Sequence, residues 1–205
     1  MTLESHVAAA SARLGEAHAA REAGLAACRA VIRSSGSAIR AVHLRQPEAV
    51  AARLADAEAS LERARRALAP FPAVAHAGFL HDAAKEYAEA RCTVALVAGG
   101  PVPGPQELGV EDPAWLNGLA EAASELRRHA LDRLRDGGLT EAERLLQAMD
   151  DVFGSLVTID YPDALTGGLR RTLDALRAVT ERTRADLTVA AVQQRLHDAL
   201  ERRLA

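Results

Sequence analysis

The stretch "LAACRAVIRSSGSAIRAVHLRQP", Leu25 to Pro47, decides the fold class. Its large apolar residues fall at Leu25, Cys28, Val31, Ile32, Ile39 and Val42, the three-and-four spacing of one helical face. Leu14 joins the same pattern upstream, so one long helix is expected from Leu3 to Leu44, with "SSGS" at Ser34–Ser37 as the place for a kink. The turn "RQP" closes it. Pro47 lacks a backbone donor and suits the first turn of a second helix, Glu48 to Leu68, which "APFP" stops.

The same punctuation repeats further along. A third helix is expected from Val74 to Ala98, before the loop "GGPVPGP" (Gly99–Pro105) and a short turn, "QELG". In "EDPAW", Asp112 reads as the N-cap and Pro113 as the first residue of a fourth helix that runs to Arg135 and ends at "DGG". Thr140 and Glu143 have capping-box spacing and open a fifth helix to Ile159. "DYPDALTGG" is a turn, and a last helix runs from Leu169 in one or two pieces, with residues 189–205 as a helical extension. No segment alternates with period two. The expectation is an all-α, antiparallel bundle of six or seven long helices in a single domain, residues 1–205. Composition agrees: with 49% hydrophobic but only 3% aromatic residues, the core must be built from Ala, Leu and Val.

The formal net charge of −3 gives the whole chain no strongly basic footprint. Its positive charge is almost all arginine, Lys85 being the one lysine, which suits planar contact with phosphate or carboxylate but also follows from an Ala- and Arg-rich composition. Cys28 and Cys92 are far apart, without metal-ligand spacing, and read as packing residues of a reducing compartment. The first residues lack the basic and apolar regions of a signal peptide, and no apolar run is long enough to span a bilayer. A soluble, cytoplasmic protein is expected.

The residues with chemistry to offer are acids. Glu86 and Glu89 stand at i,i+3 on the third helix, beside a packing stripe of Leu80, Ala83, Ala84, Tyr87 and Val94. Glu121 and Glu125 stand at i,i+4 on the fourth, one turn after Gly118 and off the stripe of Trp115, Leu116, Leu119, Ala123, Leu126, Ala130 and Leu134. Like charges at these spacings mildly destabilise a helix, and a hard cation such as Mg²⁺ or Mn²⁺ would offset them. A solvated acidic face is the plain alternative, with Lys85 and Arg91 neutralising the third helix locally. The Glu-x-x-His pair of ferritin-like sites is missing, as are the HExxH, Walker A and G-x-S-x-G motifs.

Four stretches in order carry a family resemblance: "IRSSGSAIRAVH" (Ile32–His43), "GFLHDAAKEYAEA" (Gly78–Ala90), "ELGVEDPAWLNGLAEAASELRRHALDRLRDGG" (Glu107–Gly138) and "IDYPDALTGGLRRTLDALRAVTERTRADLT" (Ile159–Thr188). The chain resembles the translin/TRAX family in its prokaryotic, TRAX-like form. The resemblance implies an all-α fold of about seven helices assembled into a hollow homo-octamer. It also implies a Mg²⁺-dependent endoribonuclease that acts on single-stranded RNA held inside. "KEYAE" matches the catalytic-type acid-x-x-acid motif and "GLAEAASE" the Gly-x-x-acid-x-x-x-Glu motif, so Glu86, Glu89, Glu121 and Glu125 are the implied metal ligands and catalytic residues. Glu121 is a departure, since the eukaryotic catalytic subunit carries Asp there. Its extra methylene shifts the carboxylate by about 1.5 Å. The other implied reading, a translin-type oligomer that binds single-stranded RNA or DNA without cutting it, lacks these acids.

Arg33 and Arg40 are seven apart on the first helix, with His43 and Arg45 at its end and His81 before the acids of the third; these are the expected nucleic-acid contacts, made mostly to phosphate. Arg63, Arg65 and Arg66 form a second basic cluster, and Arg127 and Arg128 are expected in salt bridges between subunits. With so few aromatics, base stacking contributes little, so binding should be salt-sensitive and weakly sequence-specific.

Overall fold

The computed structural model describes residues 2–204. Among these residues every regular element is a helix: α1 (Leu3–His43), α2 (Pro47–Leu68), α3 (Pro72–Ala75), α4 (Phe79–Ala98), α5 (Pro105–Leu108), α6 (Asp112–Arg135), α7 (Leu139–Leu156), α8 (Asp163–Thr166) and α9 (Leu169–Leu204). Six are long and three are single turns, as an all-α bundle of six or seven long helices requires. Two compact units divide the chain, one through Tyr87 and one from Ala88, with the boundary inside α4.

The first unit is built on an antiparallel hairpin. On α1 the buried residues Gly24, Cys28, Val31, Ser35, Ala38 and Val42 alternate four and three apart. On α2 Val50, Ala57, Leu61, Ala64 and Leu68 keep the same rhythm, with half-buried Leu54 filling the remaining place. Two seams of period 3.5 face each other side by side, as in a coiled coil. Gly24 marks a close approach: a Cβ there would lie 2.8 Å from Leu68 Cγ and Cδ2. At the turn, Arg45 has φ 56°, the left-handed position at which helices usually place glycine. The Gln46 and Arg45 amides donate back to the Ala41 and Val42 carbonyls and close α1. At ~1.5 Å per residue α1 is about 62 Å long and α2 about 33 Å, so the first twenty residues of α1 run beyond the hairpin.

In the second unit α6 is the central helix. Its buried residues Leu119, Ala120, Ala122, Ala123, Leu126 and Ala130 share one core with Cys92 and Leu96 of α4, Leu145, Met149 and Val152 of α7, and Leu169, Leu173 and Leu176 of α9. Alanine on so many sides of α6 lets three neighbours approach closely. Polar ties fix the register. Arg127 pairs with Asp186 at 2.8 Å and donates to Thr183, and Arg184 pairs with Asp150 at 2.6 Å. Arg144 of α7 donates to the Leu96 and Val97 carbonyls, capping the end of α4, while its guanidinium also grips Glu141 at 2.7 and 2.9 Å. That hydrogen bond holds the Glu141 carboxyl below its ordinary range.

Asn117 is the buried polar hub of α6. Its amide donates to the Pro113 carbonyl at 2.9 Å and the Thr166 carbonyl at 2.7 Å, and its oxygen accepts the Thr172 hydroxyl at 2.7 Å. The "LTGG" turn is thereby tied to α6, with Gly167 and Gly168 at φ 62° and 84° supplying backbone that other residues rarely adopt.

Several boundaries differ from expectation, each for a local reason. The expected third helix is two, because Gly78 at φ 95° ends one turn and lets α4 start at Phe79. α1 crosses Ser34–Ser37 as one helix, with Ser35 buried in the seam and the Ser37 hydroxyl bonded to the Arg33 carbonyl within the helix. Glu111 rather than Asp112 caps α6, with no side-chain bond, and Asp112 sits in the first turn, where its charge favours the helix dipole. Gly138 stands at the N-cap of α7, which leaves Thr140 and Glu143 inside that helix rather than in a capping box. α7 stops at Leu156, not Ile159, and the "DYPDALTGG" turn contains α8. α9 is one piece through the expected 189–205 extension as far as residue 204.

Two tests follow from this packing. Gly36 has nothing within 4 Å of a built Cβ, so Gly36→Ala should gain about 0.5–1 kcal/mol from helix propensity, whereas Gly24→Ala should lose on the order of 1 kcal/mol by pushing α2 away. Urea unfolding midpoints should therefore move in opposite directions. Asn117→Ala should cost about 2 kcal/mol, because it strands a buried carbonyl and hydroxyl. The same unfolding curve reads it.

Candidate functional site

Two helices carry the acids. α4 buries Ala83, Ala84, Tyr87, Ala88, Ala90 and Cys92, which turns Glu86 and Glu89 to its flank, one turn apart. Tyr87 between them is 1% exposed, so it packs and does not contact a ligand base. α6 contributes Glu121, one turn after buried Gly118 and Asn117. The Asn117 hydrogen bonds hold this end of α6 in register. Glu125 follows one turn later and is half-buried.

Glu86, Glu89 and Glu121 each place a carboxylate oxygen within 4.8 Å of the others, and none of the three is fully exposed. Sequence spacing pairs Glu86 with Glu89; only folding brings Glu121 to them. The methylene that distinguishes Glu121 from Asp leaves it within reach. Glu125, expected as the fourth ligand, is not one of the three. Lys85 Nζ lies 3.6 Å from Glu86 and is one local counter-charge. Carboxylates this close repel one another. A hard divalent cation relieves that repulsion.

The donor set suits such an ion. All three ligands are hard oxygen donors, with no thiolate or imidazole among them. Around Mg²⁺ at about 2.1 Å, adjacent oxygens stand about 3.0 Å apart and opposed ones about 4.2 Å. Separations up to 4.8 Å need only small side-chain rotations to reach that geometry.

The cysteines offer no competing chemistry. Burial pushes the Cys28 thiol up to about 11, with the charge of Asp82 adding to it. Burial likewise pushes Cys92 up to about 12, opposed by Arg91 and assisted by Glu89. Both are buried thiols at neutral pH, as expected of packing residues.

Arg33 and Arg40 lie on the exposed face of α1, His43 is half-buried at its last residue, and Arg45 is exposed in the turn that follows. His81 is half-buried on α4, a turn and a half before Glu86. Arg127, expected in a salt bridge between subunits, pairs within the chain with Asp186 and donates to Thr183. Sequence reasoning missed Asn117 and Arg144 as the residues that set the registers of α6 and α4. The one available signal was an asparagine, a poor helix former, in the apolar middle of "WLNGLAE".

No family model matches the chain. An uncharacterized protein of Methanocaldococcus jannaschii is 29% identical over 136 residues, which cover 66% of this chain and 60% of that relative, so the chain spans less than two thirds of that relative's length. Solved structures extend further. The crystal structure of AfC3PO is similar with a TM-score of 0.85 and 33% identity, over 92% of this chain and 98% of that one. The AfC3PO–duplex RNA complex gives 0.83 and 33%, over 92% and 97%. Apo-NeC3PO, at 16% identity and a TM-score of 0.83 over 93% and 98%, shares the fold. Sharing a third of its residues with AfC3PO over nearly the whole length of both, together with the fold, the chain belongs to the translin/TRAX-type C3PO family.

Proposed function

We propose that the protein is a Mg²⁺-dependent endoribonuclease of the TRAX-like catalytic type, acting on single-stranded RNA within a homo-oligomer. The observation that carries this reading is the convergence of Glu86, Glu89 and Glu121 from two helices. A protein that only bound phosphate would gain nothing from three clustered carboxylates, which repel it. RNA binding is supported by the relative AfC3PO, which was solved in a complex with duplex RNA. No helix is long and apolar enough to cross a membrane among the described residues.

Glu86, Glu89 and Glu121 hold the ion, with Mn²⁺ as a substitute for Mg²⁺. When bound, the cation supplies an activated water and stabilises charge on the scissile phosphate. Glu125, one turn along α6 from Glu121, is the proposed general base that accepts a proton from the attacking water. Lys85 moderates the repulsion among the carboxylates. Arg33, Arg40, His43, Arg45 and His81 are the proposed contacts to the RNA backbone; they position the strand and carry no base readout.

Arg45 supports a binding role in its own right. It occupies a left-handed backbone position at which a side chain costs about 1–2 kcal/mol and glycine costs nothing. Strain of this kind persists where the surrounding structure imposes it, and it clusters at ligand-binding sites.

A nuclease assay on labelled single-stranded and duplex RNA, with and without Mg²⁺, tests the reading. Glu86→Ala, Glu89→Ala and Glu121→Ala should each lose about 100-fold or more in cleavage, as should wild type in excess chelator. Glu125→Gln should lower the cleavage rate while Mg²⁺ still raises the melting temperature as it does in wild type. Cleavage by the triple-alanine variant at the wild-type rate would show the acids to be an ordinary face. Arg45→Gly should unfold about 1 kcal/mol later than wild type yet bind RNA more weakly in a filter-binding titration. Unchanged affinity would remove Arg45 from the binding surface.

A further inference from the structure

The seam of α1 does not stop where α2 stops. Read toward the N-terminus from Gly24, its four-and-three alternation continues through Arg21, Ala17, Leu14, Ala10, Val7 and Leu3 without a change of phase. In this half nothing covers it. Leu3 is 79% exposed, Val7 60% and Leu14 71%. An apolar stripe held in phase over this length is the pattern of a helix face that packs against another surface.

α9 carries a matching stripe. Its own unit covers Leu169, Leu173, Leu176, Thr180, Thr183 and Leu187. Val189, Val192, Leu196 and Leu200, between 51% and 61% exposed, lie about 180° round the helix from that face. They follow no part of the internal core and face solvent in the single chain.

We propose that these two stripes are one interface, in which α1 of one copy of this chain packs on the outer face of α9 of the next. This rests on the reading of the protein as a homo-oligomer and names the surfaces that build it. Each stripe spans twelve residues, its end residues about 16 Å apart along the helix. Their shapes are complementary: α1 alternates Leu and Val with Ala10 and Ala17, leaving hollows, while α9 offers four branched side chains to fill them. Their charges are opposite. Residues 3–20 carry Glu4 and Glu16 against Arg13, and residues 188–204 carry Arg195, Arg202 and Arg203 against Asp198 and Glu201.

Area is adequate as well. A large aliphatic side chain carries on the order of 100 Å² of apolar surface. A copy using both stripes would cover about 400 Å² from these seven residues alone, half of the ~800 Å² that one side of a standard interface buries. Alanines and the stems of flanking arginines add to it. Because the two stripes differ, the contact is head-to-tail, and repetition closes into a ring when the rotation per copy allows.

Light scattering coupled to size-exclusion chromatography tests this with Leu14→Glu and Leu196→Glu. Both sites are exposed and helical, so circular dichroism should match wild type; Val7→Glu is a second probe of the α1 stripe. Wild type should run as an oligomer and each variant as smaller species. Mixed in equal amounts, the two variants should recover a pair containing one copy of each, since one retains a good α9 and the other a good α1. An oligomeric wild type whose variants keep its mass would overturn the interface and leave oligomerisation intact. Separate homodimers of each variant would overturn the head-to-tail pairing in favour of like-with-like contacts. A monomeric wild type would overturn both the oligomer and the interface.

Discussion

The hydrogen bonds of Asn117 are the constraint on which the second unit depends. One buried amide joins the first turns of α6, the carbonyl that ends α8 and a hydroxyl on α9. A buried amide with partners on every side is worth little more than its replacement by well-packed carbon, yet it tolerates only one register, since a slip would strand each partner. α6 is therefore held along its axis in the register at which its alanines pack. The carboxylate of Glu121, one turn on, inherits that setting.

α4 is set from its other end. Arg144 caps the last carbonyls of α4 and is itself steadied by Glu141, so the helix that carries Glu86 and Glu89 is pinned at Leu96 and Val97. Between these two anchors the small residues of α4 and α6 allow close approach. A cluster of three acids is then affordable because its position is imposed by apolar burial and neutral hydrogen bonds remote from the charge. In the proposed function, these three oxygen donors are what a divalent cation would bind.

Most of the fold was legible because helical periodicity is local. The phase of Cys28, Val31, Ile39 and Val42, Pro47 at the first turn of α2, and the glycine-rich breaks near residues 99 and 137 placed the long helices closely. What escaped were ends decided by single dihedral angles. Gly78 splits one expected helix, and Gly138 displaces an apparent capping box, because side-chain spacing records nothing about which backbone the glycine adopts. The site was half legible in the same way. Glu86 and Glu89 are neighbours by helical geometry alone, whereas the choice of Glu121 over Glu125 as the third acid turns on the rotation of α6 against α4.

By itself, then, the sequence determined the all-α class, the long helices, the Ala- and Leu-built core and the pairing of acids within each helix, since all follow from contacts three or four residues apart. Tertiary structure decided which acids meet, which arginines serve the fold and which remain exposed, and where Asn117 and Arg144 fasten distant segments. Those outcomes depend on helix register and rotation. Both are set by interactions between residues some fifty positions apart, and no local pattern encodes them.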